Sequence, residues 1–149
     1  RAVMKQTDHL DGIIGTVAEL MEGPNKYVQA IDTVLGSSSQ FIVVENEKSA
    51  RDAINYLKQA KKGRATFLPL STIKARNLSP KVKNQIAQMP GFIGIANELV
   101  TNDTRVQSII DNLLGQTIIA DSLESANKIA RLIQYRNRVV SLEGDVINV

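Results

Sequence analysis

The chain has 149 residues, a formal net charge of +3 and 43% hydrophobic residues, which predicts one compact domain or two small, tightly packed subdomains. Cys and Trp are absent and aromatic residues make up only 4%, which excludes disulfides and Cys-ligated zinc and predicts an aliphatic core. There is neither a secretory signal pattern nor an apolar run of the roughly 18 residues that a membrane helix needs, and the positive charge is too mild for a dedicated nucleic-acid reader.

The first half of the chain predicts alternating strands and helices. A β-rich run at 13–19 is followed by an amphipathic helix near 26–35, whose apolar residues recur at helical spacing. Gly36 stands where a left-handed helix C-cap is expected, because glycine tolerates positive φ. Three further elements complete this unit: a strand at 41–44, a helix at 48–61 and a closing strand at 64–68.

Residues 71–90 predict a connector, since they carry two prolines and a run of Lys and Arg. Within it, Ser79 is a suitable N-cap and Pro80 suits the first helical position, so one short helix is expected at 80–88.

The second half repeats the first. Residues 12–36 align without a gap with 91–115, and nine of the 25 aligned positions are identical. Two later pairs of segments continue the alignment after a change in length: 41–45 with 117–121, and 63–68 with 137–142. We interpret the chain as two copies of one supersecondary unit.

The second copy predicts the same elements. They are a β-rich run at 92–98, a helix at 104–114, a strand at 117–120, a helix at 124–135 and a closing strand at 138–142. Gly115 is placed as a second left-handed C-cap, Asp121 and Ser122 as an N-cap, and 143–145 as a hairpin turn into a last strand at 146–148. The predicted fold class is therefore α/β, with two pseudo-repeated subdomains that each pack a small sheet with helices.

No residue pattern indicates catalysis, a cofactor or a metal. The segment 12–15 lacks the GxGxxG spacing of a dinucleotide site, and close backbone approach is the simpler reason for Gly12, Gly15, Gly91 and Gly94. No GxxxxGK[ST] motif occurs, and the single His9 lies in a polar leader without triad or metal partners. The repeated pair Asp32 and Asp111 favours solvated or packed helix faces over general acid–base chemistry.

The basic residues fall into three groups whose charge either contacts phosphate or complements a helix C-terminus. The groups are Lys58, Lys61, Lys62 and Arg64; Lys74, Arg76, Lys81 and Lys83; and Arg131, Arg136 and Arg138. Of these, we predict weak, non-specific DNA contact by Lys58, Lys61, Lys62, Arg136 and Arg138.

Residues 63–70 read GRATFLPL and resemble the signature of the hinge domain of bacterial SMC (structural maintenance of chromosomes) proteins. Four more segments resemble that family in the same order: 11–15, 92–100, 112–115 and 136–148. The resemblance covers nearly the whole chain, from about 10 to 148.

The resemblance implies a non-enzymatic hinge of two similar subdomains, placed midway along a coiled coil whose ATPase head lies at the far end. It implies a second SMC hinge as partner in a cytoplasmic, nucleoid-associated homodimer, with no membrane, cofactor or small-molecule substrate. The expected boundaries are a coiled-coil remnant at 1–10, subdomains at 11–70 and 91–149, and a connector at 71–90. In the family an Asn-Pro and a glycine-rich segment follow the Leu-Glu-Gly-Asp turn, whereas Val149 stands here where Pro is expected, so we interpret the sequence as a trimmed hinge.

Edge strands with unpaired amides can pair with a second chain, so we predict the dimer interface at the closing strands and turns. Its residues are Gly63, Arg64, Ala65, Thr66, Phe67, Gly144, Asp145, Val146, Ile147 and Asn148. Two alternatives remain open on the sequence: a small-molecule sensor with a ligand cleft between the repeats, and a free-standing nucleic-acid binder whose affinity depends strongly on salt.

Overall fold

The computed structural model of the chain describes residues 11–149, so the predicted leader at 1–10 and its His9 lie outside the described residues. We call 11–70 the first unit, 71–90 the connector and 91–149 the second unit. The first unit contains strands β1 (Ile13–Thr16), β2 (Met21–Glu22), β3 (Ile42–Val44) and β4 (Phe67–Pro69) and helices α1 (Val28–Leu35) and α2 (Glu47–Ala60). The connector contains helix α3 (Pro80–Ile86). The second unit contains β5 (Phe92–Ile95), β6 (Thr101–Asn102), α4 (Gln107–Leu114), β7 (Ile118–Ala120), α5 (Leu123–Leu132), β8 (Val139–Ser141) and β9 (Val146–Ile147). The mixed α/β fold with two pseudo-repeated units is confirmed.

The predicted opening strands are too long, because a glutamate ends each of them. The Glu19 carboxylate accepts a hydrogen bond from the Thr16 backbone N–H (2.8 Å), and the Glu98 carboxylate accepts one from the Ile95 N–H (3.2 Å). Each carboxylate bends the chain back into a 3₁₀ turn, at 18–20 and 96–99. The repeated glutamates therefore act as turn residues where the sequence predicts extended chain.

Each unit builds its sheet in the same way. In the first, β1 is antiparallel to β3 and β3 is parallel to β4. In the second, β5 is antiparallel to β7, β7 is parallel to β8, and β9 adds an antiparallel fourth strand.

The register of the closing strands corrects the predicted alignment of 63–68 with 137–142. Ile42 pairs with Phe67, and its repeat partner Ile118 pairs with Val139. Phe67 therefore corresponds to Val139, whereas the sequence alignment matches it with Ser141. The two-residue error preserves the inward and outward faces of a strand, so the apolar pattern alone does not reveal it.

The two units join through β2 and β6, which form a separate antiparallel pair. Glu22 pairs with Thr101, which is its own counterpart in the repeat. An antiparallel pair between equivalent residues places a local two-fold axis at this point, as in the isologous interface of a symmetric dimer. Duplication has thus produced an internal pseudo-dimer.

A shared core lies between the units, and each unit has a separate outer core. The shared core contains Ile31 and Val34 of α1 together with Ile110 and Leu114 of α4. Its burial of aliphatic side chains is the main stabilising term of the fold. The outer core of the first unit is small, with buried residues Ile42, Val44, Ala50, Ala53 and Leu57. The outer core of the second unit is larger, because the connector and β9 cover it. The covering residues are Leu78, Val82, Ile86 and Ile147.

Side-chain caps begin three helices. The Ser79 hydroxyl accepts the Val82 N–H (3.2 Å) with Pro80 at the first turn, and the Ser122 hydroxyl accepts the Ser125 N–H (3.1 Å), so both predicted caps are confirmed. The Asn46 carboxamide oxygen accepts the Ser49 N–H at the start of α2, a cap that was not predicted from the sequence.

The two helix-ending glycines differ, although the repeat predicts one role for both. Gly36 has a positive φ of +53°, but its ψ of −132° places it outside the left-handed helical region of the predicted C-cap, whereas Gly115 has a φ of −72° and stays in the right-handed region. A Cβ on Gly115 would overlap the backbone oxygens of Arg76 and Asp111. Gly115 is therefore needed for the close passage of the connector, and its predicted left-handed cap is wrong.

The opening glycines Gly12 and Gly91 also differ from expectation. A Cβ at either position would overlap a serine hydroxyl, that of Ser49 or of Ser125, and both glycines have a φ above +80°. The group packed against each glycine is thus a serine side chain in the first turn of α2 or α5, whereas the sequence predicts an approaching backbone.

Candidate functional site

The outer side of β4 is an open sheet edge. The Ile42 N–H donates to the Thr66 carbonyl (2.9 Å), and the Leu70 N–H donates to the Val44 carbonyl (2.7 Å). Because backbone groups alternate between the two sides of a strand, those of Phe67 and Pro69 point away from β3. β4 is the last strand of its sheet, so the N–H and carbonyl of Phe67 face outward. Pro69 ends this open edge, because it has no N–H to donate and its carbonyl accepts the Thr72 and Ile73 N–H groups.

The same edge is covered in the second unit. The Ile118 N–H donates to the Arg138 carbonyl (3.0 Å) and the Leu142 N–H to the Ala120 carbonyl (3.0 Å), which repeats the pattern around β4. Here the outward groups belong to Val139 and Ser141, and β9 satisfies them: Val139 pairs with Ile147, and the Ser141 N–H donates to the Asp145 carbonyl (2.9 Å). The second unit therefore shows how a strand adds antiparallel to this edge, and the first unit lacks that strand.

A groove runs beside the open edge where β9 lies in the second unit. We call it the edge groove; its lining residues are Ile54, Leu57, Lys58, Lys61, Gly63, Arg64 and Ala65. Ile54 on α2 is 39% exposed, whereas its counterpart Ala130 on α5 is fully buried. The absent fourth strand thus leaves apolar side-chain surface uncovered in addition to backbone groups.

The outer side of β9 is a second edge. The Ser141–Asp145 and Val139–Ile147 pairs face each other across the hairpin, so the backbone groups of Val146 point outward. The Val146 side chain is 42% exposed. The hairpin is tied by the Ser141 hydroxyl, which donates to the Asp145 carboxylate (2.8 Å) and accepts the Asp145 N–H (3.0 Å).

Most of the predicted interface residues fall on these two edges, and Gly144 does not. Gly63, Arg64 and Ala65 line the edge groove, and Thr66 and Phe67 lie at the start of the open edge. Val146 and Ile147 form β9, and Asn148 follows it into a groove near Arg76. Asp145 holds the hairpin, and a Cβ on Gly144 would lie 3.0 Å from the Thr33 hydroxyl of α1. Gly144 thus packs inside the subunit, on the helix of the other unit.

The predicted DNA-contacting residues lie in two separate grooves. Lys58 and Lys61 line the edge groove, and Lys62, also exposed, follows them at the end of α2. Arg136 and Arg138 line a different groove with Arg76. The Arg138 guanidinium also donates to the Val34 carbonyl at the end of α1 (3.2 Å) and to the Thr117 hydroxyl (3.4 Å). Arg138 therefore links the two units, whatever else it contacts.

The repeated aspartates are not brought together as a pair. Asp111 accepts hydrogen bonds from the side-chain amides of Asn97 (2.9 Å) and Gln107 (2.8 Å), while Asp32 lines a pocket on the first unit. The sequence predicts neither the network nor the pocket, since neither partner residue of Asp111 is repeated. Among residues 11–149, no cluster of three or more His, Cys, Asp or Glu side chains is arranged to hold a metal. Over that same range, none of the helices has the length and apolar character that a bilayer crossing requires.

Comparison with known proteins gives a consistent family. The sequence profile of the family described as the SMC proteins Flexible Hinge Domain matches residues 10–130. The chain is 47% identical over 148 residues to the Chromosome partition protein Smc of Bacillus subtilis, covering 99% of this chain and 12% of that protein. It is 44% identical over 146 residues to the protein of the same name from Halothermothrix orenii, with 98% and 12% covered. The chain thus spans about an eighth of the length of these curated relatives.

Two solved structures share the fold closely. One is an asymmetric dimer of the Geobacillus stearothermophilus SMC hinge domain, with 48% sequence identity and a TM-score of 0.95 over 99% of this chain and 60% of that chain. The other is the Pyrococcus furiosus SMC protein hinge domain, with 32% identity and a TM-score of 0.81 over 99% and 75% of the two chains.

Proposed function

The chain belongs to the SMC hinge family, and from that premise we propose that it is a non-catalytic dimerisation hinge that adds a strand of a second copy to its open β4 edge. The observation that carries this proposal is the missing fourth strand. In the second unit β9 satisfies the outward groups of Val139 and Ser141, whereas nothing within residues 11–149 does so for Phe67; the Pro69 carbonyl already accepts the Thr72 and Ile73 N–H groups. An added strand supplies main-chain hydrogen bonds, while side-chain pockets beside it give specificity.

The incoming strand takes the place that β9 has in the repeat. Ile147 packs against the outer core of the second unit, so an apolar residue of the partner would pack into the edge groove against Ile54 and Leu57. The outward edge of β9 at Val146 is the matching donor on the partner. Two such contacts related by a two-fold axis would form a symmetric dimer in which the β4 and β9 edges of both copies are paired.

The solved relative supports pairing of hinges, since the Geobacillus stearothermophilus domain forms a dimer in its crystal; that dimer is asymmetric, so it does not bear on the two-fold symmetry proposed here. In the whole protein, this pairing would join two coiled-coil arms of a chromosome partition protein with its ATPase heads elsewhere in the chain. The proposed boundaries remain 11–70, 71–90 and 91–149. The small-molecule sensor is the less favoured alternative, because hinge domains match the chain along nearly all of its length.

DNA contact is a second, weaker part of the proposal. Lys58, Lys61 and Arg64 lie along one groove with exposed side chains, which suits phosphate contact without base reading. Fluorescence anisotropy with a DNA duplex should show weak binding that falls steeply between roughly 50 and 200 mM salt. The double change Lys58→Gln/Lys61→Gln should weaken it more than Lys81→Gln/Lys83→Gln on the connector helix. Equal effects of the two double variants would count against the edge groove as the DNA site.

Sedimentation velocity over a range of concentrations tests the dimer. Ile54→Glu places a charge in the edge groove, where the partner strand would desolvate it, so the dimer dissociation constant should rise by about tenfold or more. Leu123→Glu is the matched control, because Leu123 is also an exposed helix residue (46% against 39%) but lies at the start of α5 and does not line the edge groove. A wild-type chain that stays monomeric at every concentration, or a dimer that both variants weaken equally, would contradict strand addition at β4. Calorimetry with nucleotides and with amino acids other than arginine tests the sensor alternative, which alone predicts binding of these ligands.

A further inference from the structure

A small apolar pocket opens on the first unit beside Asp32, whose counterpart Asp111 in the second unit lies in a side-chain network. Its walls include Ala18, Met21, Tyr27, Val28, Ile31 and Asp32. Its volume is about 130 Å³. That volume is well below the roughly 300 Å³ at which small-molecule sites begin, and it is similar to cavities that hold one small ring or side chain.

The corresponding place in the second unit contains a side-chain network. The Asn97 and Gln107 side-chain amides both donate to the Asp111 carboxylate, at 2.9 and 2.8 Å. The Asn102 amide donates in turn to the Gln107 carbonyl oxygen (3.0 Å). Two side-chain amides thus donate to one carboxylate, and a third supports one of the two donors.

The first unit keeps the carboxylate and has lost every donor. The alignment places Ala18 at the position of Asn97, Gly23 at that of Asn102 and Val28 at that of Gln107, while Asp32 matches Asp111. The Asp32 carboxylate has no hydrogen-bond or ion-pair partner among residues 11–149. The Lys26 ammonium lies over the Tyr27 ring instead, 5.1 Å from its centroid.

We propose that this pocket anchors one arginine side chain of a protein partner, with the guanidinium on Asp32 and the aliphatic stem against Val28 and Tyr27. The repeat itself defines the chemistry, because the missing groups are N–H donors on apolar stems. A guanidinium presents several N–H donors in one plane and pairs with a carboxylate in two parallel hydrogen bonds. Asp32 and the Glu22 side chain give the pocket two negative charges, of which the Lys26 ammonium over the Tyr27 ring offsets one, so the remaining negative charge favours a cation over a neutral amide.

The site is separate from the open β4 edge. Its walls come from α1, β2 and the turns beside them, and none of its lining residues lines the edge groove. The partner therefore differs from a second copy bound by strand addition, and loss of one interaction should leave the other intact.

Nuclear magnetic resonance of the ¹⁵N-labelled chain, titrated with N-acetyl-arginine methylamide, tests the proposal directly. We expect saturable shifts at the amides of Ala18, Val28 and Asp32, with a dissociation constant on the order of millimolar for a single side chain. N-acetyl-leucine methylamide should give no saturable shift at these amides. Asp32→Asn should weaken arginine binding by about fivefold, because Asp32 is exposed and solvent screens an ion pair there. Asp111→Asn, the same change at the repeated position, should alter it by less than about twofold.

A second variant keeps the test independent of any folding defect in Asp32→Asn. Ala18→Asn/Val28→Gln transplants the side chains of the second unit into the first, so it should fill the pocket, keep the fold and abolish the arginine-dependent shifts. Ile54→Glu should bind the arginine probe as the wild type does, which separates this site from dimerisation. Binding that survives unchanged in Asp32→Asn or in the filled variant would overturn the proposal, as would equal binding of the leucine probe.

Discussion

The second unit of this chain is closed, and the first is open. They share the same helices, the same three-stranded core sheet and the same glutamate-ended turns. The second unit adds β9 over its sheet edge, α3 over its outer core and a side-chain network around Asp111. In the first unit the corresponding places are an exposed edge, a groove with Ile54 and a pocket at Asp32.

This contrast indicates how a duplicated unit acquires binding surfaces. Repeating the unit produces a shared core, which only needs aliphatic side chains on both sides of the pseudo-two-fold axis. Binding surfaces then arise wherever one copy lacks a piece that the other has. The closed copy therefore serves as an internal reference for what each open surface of the first copy is shaped to accept.

Truncating a helix residue at the outer cores should give the largest difference between the units. Ile129→Ala on α5 removes a fully buried side chain and should lower the free energy of unfolding by about 3 kcal/mol. Ile54→Ala on α2 removes one that is 39% exposed, so the cost should stay below about 1 kcal/mol. Urea denaturation at concentrations where the chain is monomeric measures both. Equal losses would mean that the edge groove is already covered in solution.

The paired glycines sharpen the comparison at the helix ends. Gly115→Ala should lower the free energy of unfolding by about 2 kcal/mol, because a Cβ there overlaps the backbone oxygens of Arg76 and Asp111. Gly36→Ala should cost about 1 kcal/mol, from the positive φ alone, since no atom lies within 4 Å of its Cβ position. Thermal denaturation of the two variants ranks them. The reverse order would show that backbone conformation, and not the passage of the connector, determines the cost.

The sequence was sufficient for local features and insufficient for distant ones. Caps at Ser79 and Ser122 were predictable because each acts within three residues of its own helix. Gly115 was misassigned because its steric neighbour, Arg76, is 39 residues away along the chain. The register of β4 was missed because the loops before the closing strands differ in length between the copies.

The candidate site, too, was predictable only where it depends on residues close together in the sequence. A turn after Leu142 and apolar alternation around it indicate that 146–148 forms a strand, and the hairpin bears this out. That β4 has no such partner depends on which elements pack beside it in space, and a linear pattern does not contain that information. The pocket at Asp32 was hidden because it results from substitutions at Ala18 and Val28, ordinary residues that carry no motif.

Arg136 and Arg138, which line one groove with Arg76, give a smaller test, of contact between the units. Arg138→Ala removes the hydrogen bonds to the Val34 carbonyl and the Thr117 hydroxyl, so it should lower the free energy of unfolding by about 1 kcal/mol. Arg136→Ala removes an exposed side chain and should change it by less than about 0.5 kcal/mol. Urea denaturation in high salt isolates the hydrogen-bond contribution, because screening weakens any general effect of charge. Two equal values would remove Arg138 from the contacts that hold the units together.

The smallest expected difference comes from the matching ion pairs on α2 and α5. Both are exposed pairs four residues apart, Lys48 with Asp52 (3.0 Å) and Glu124 with Lys128 (3.3 Å), but their order along the helix is opposite. An acidic residue on the N-terminal side complements the helix dipole, whereas Lys48 lies in the first turn, where positive charge is unfavourable. Lys128→Ala should therefore cost about 0.3 kcal/mol, and Lys48→Ala should be neutral or slightly stabilising. Thermal denaturation at low salt resolves the sign, and a larger loss at Lys48 would mean that its side chain has a role beyond α2, at the open side of the first unit.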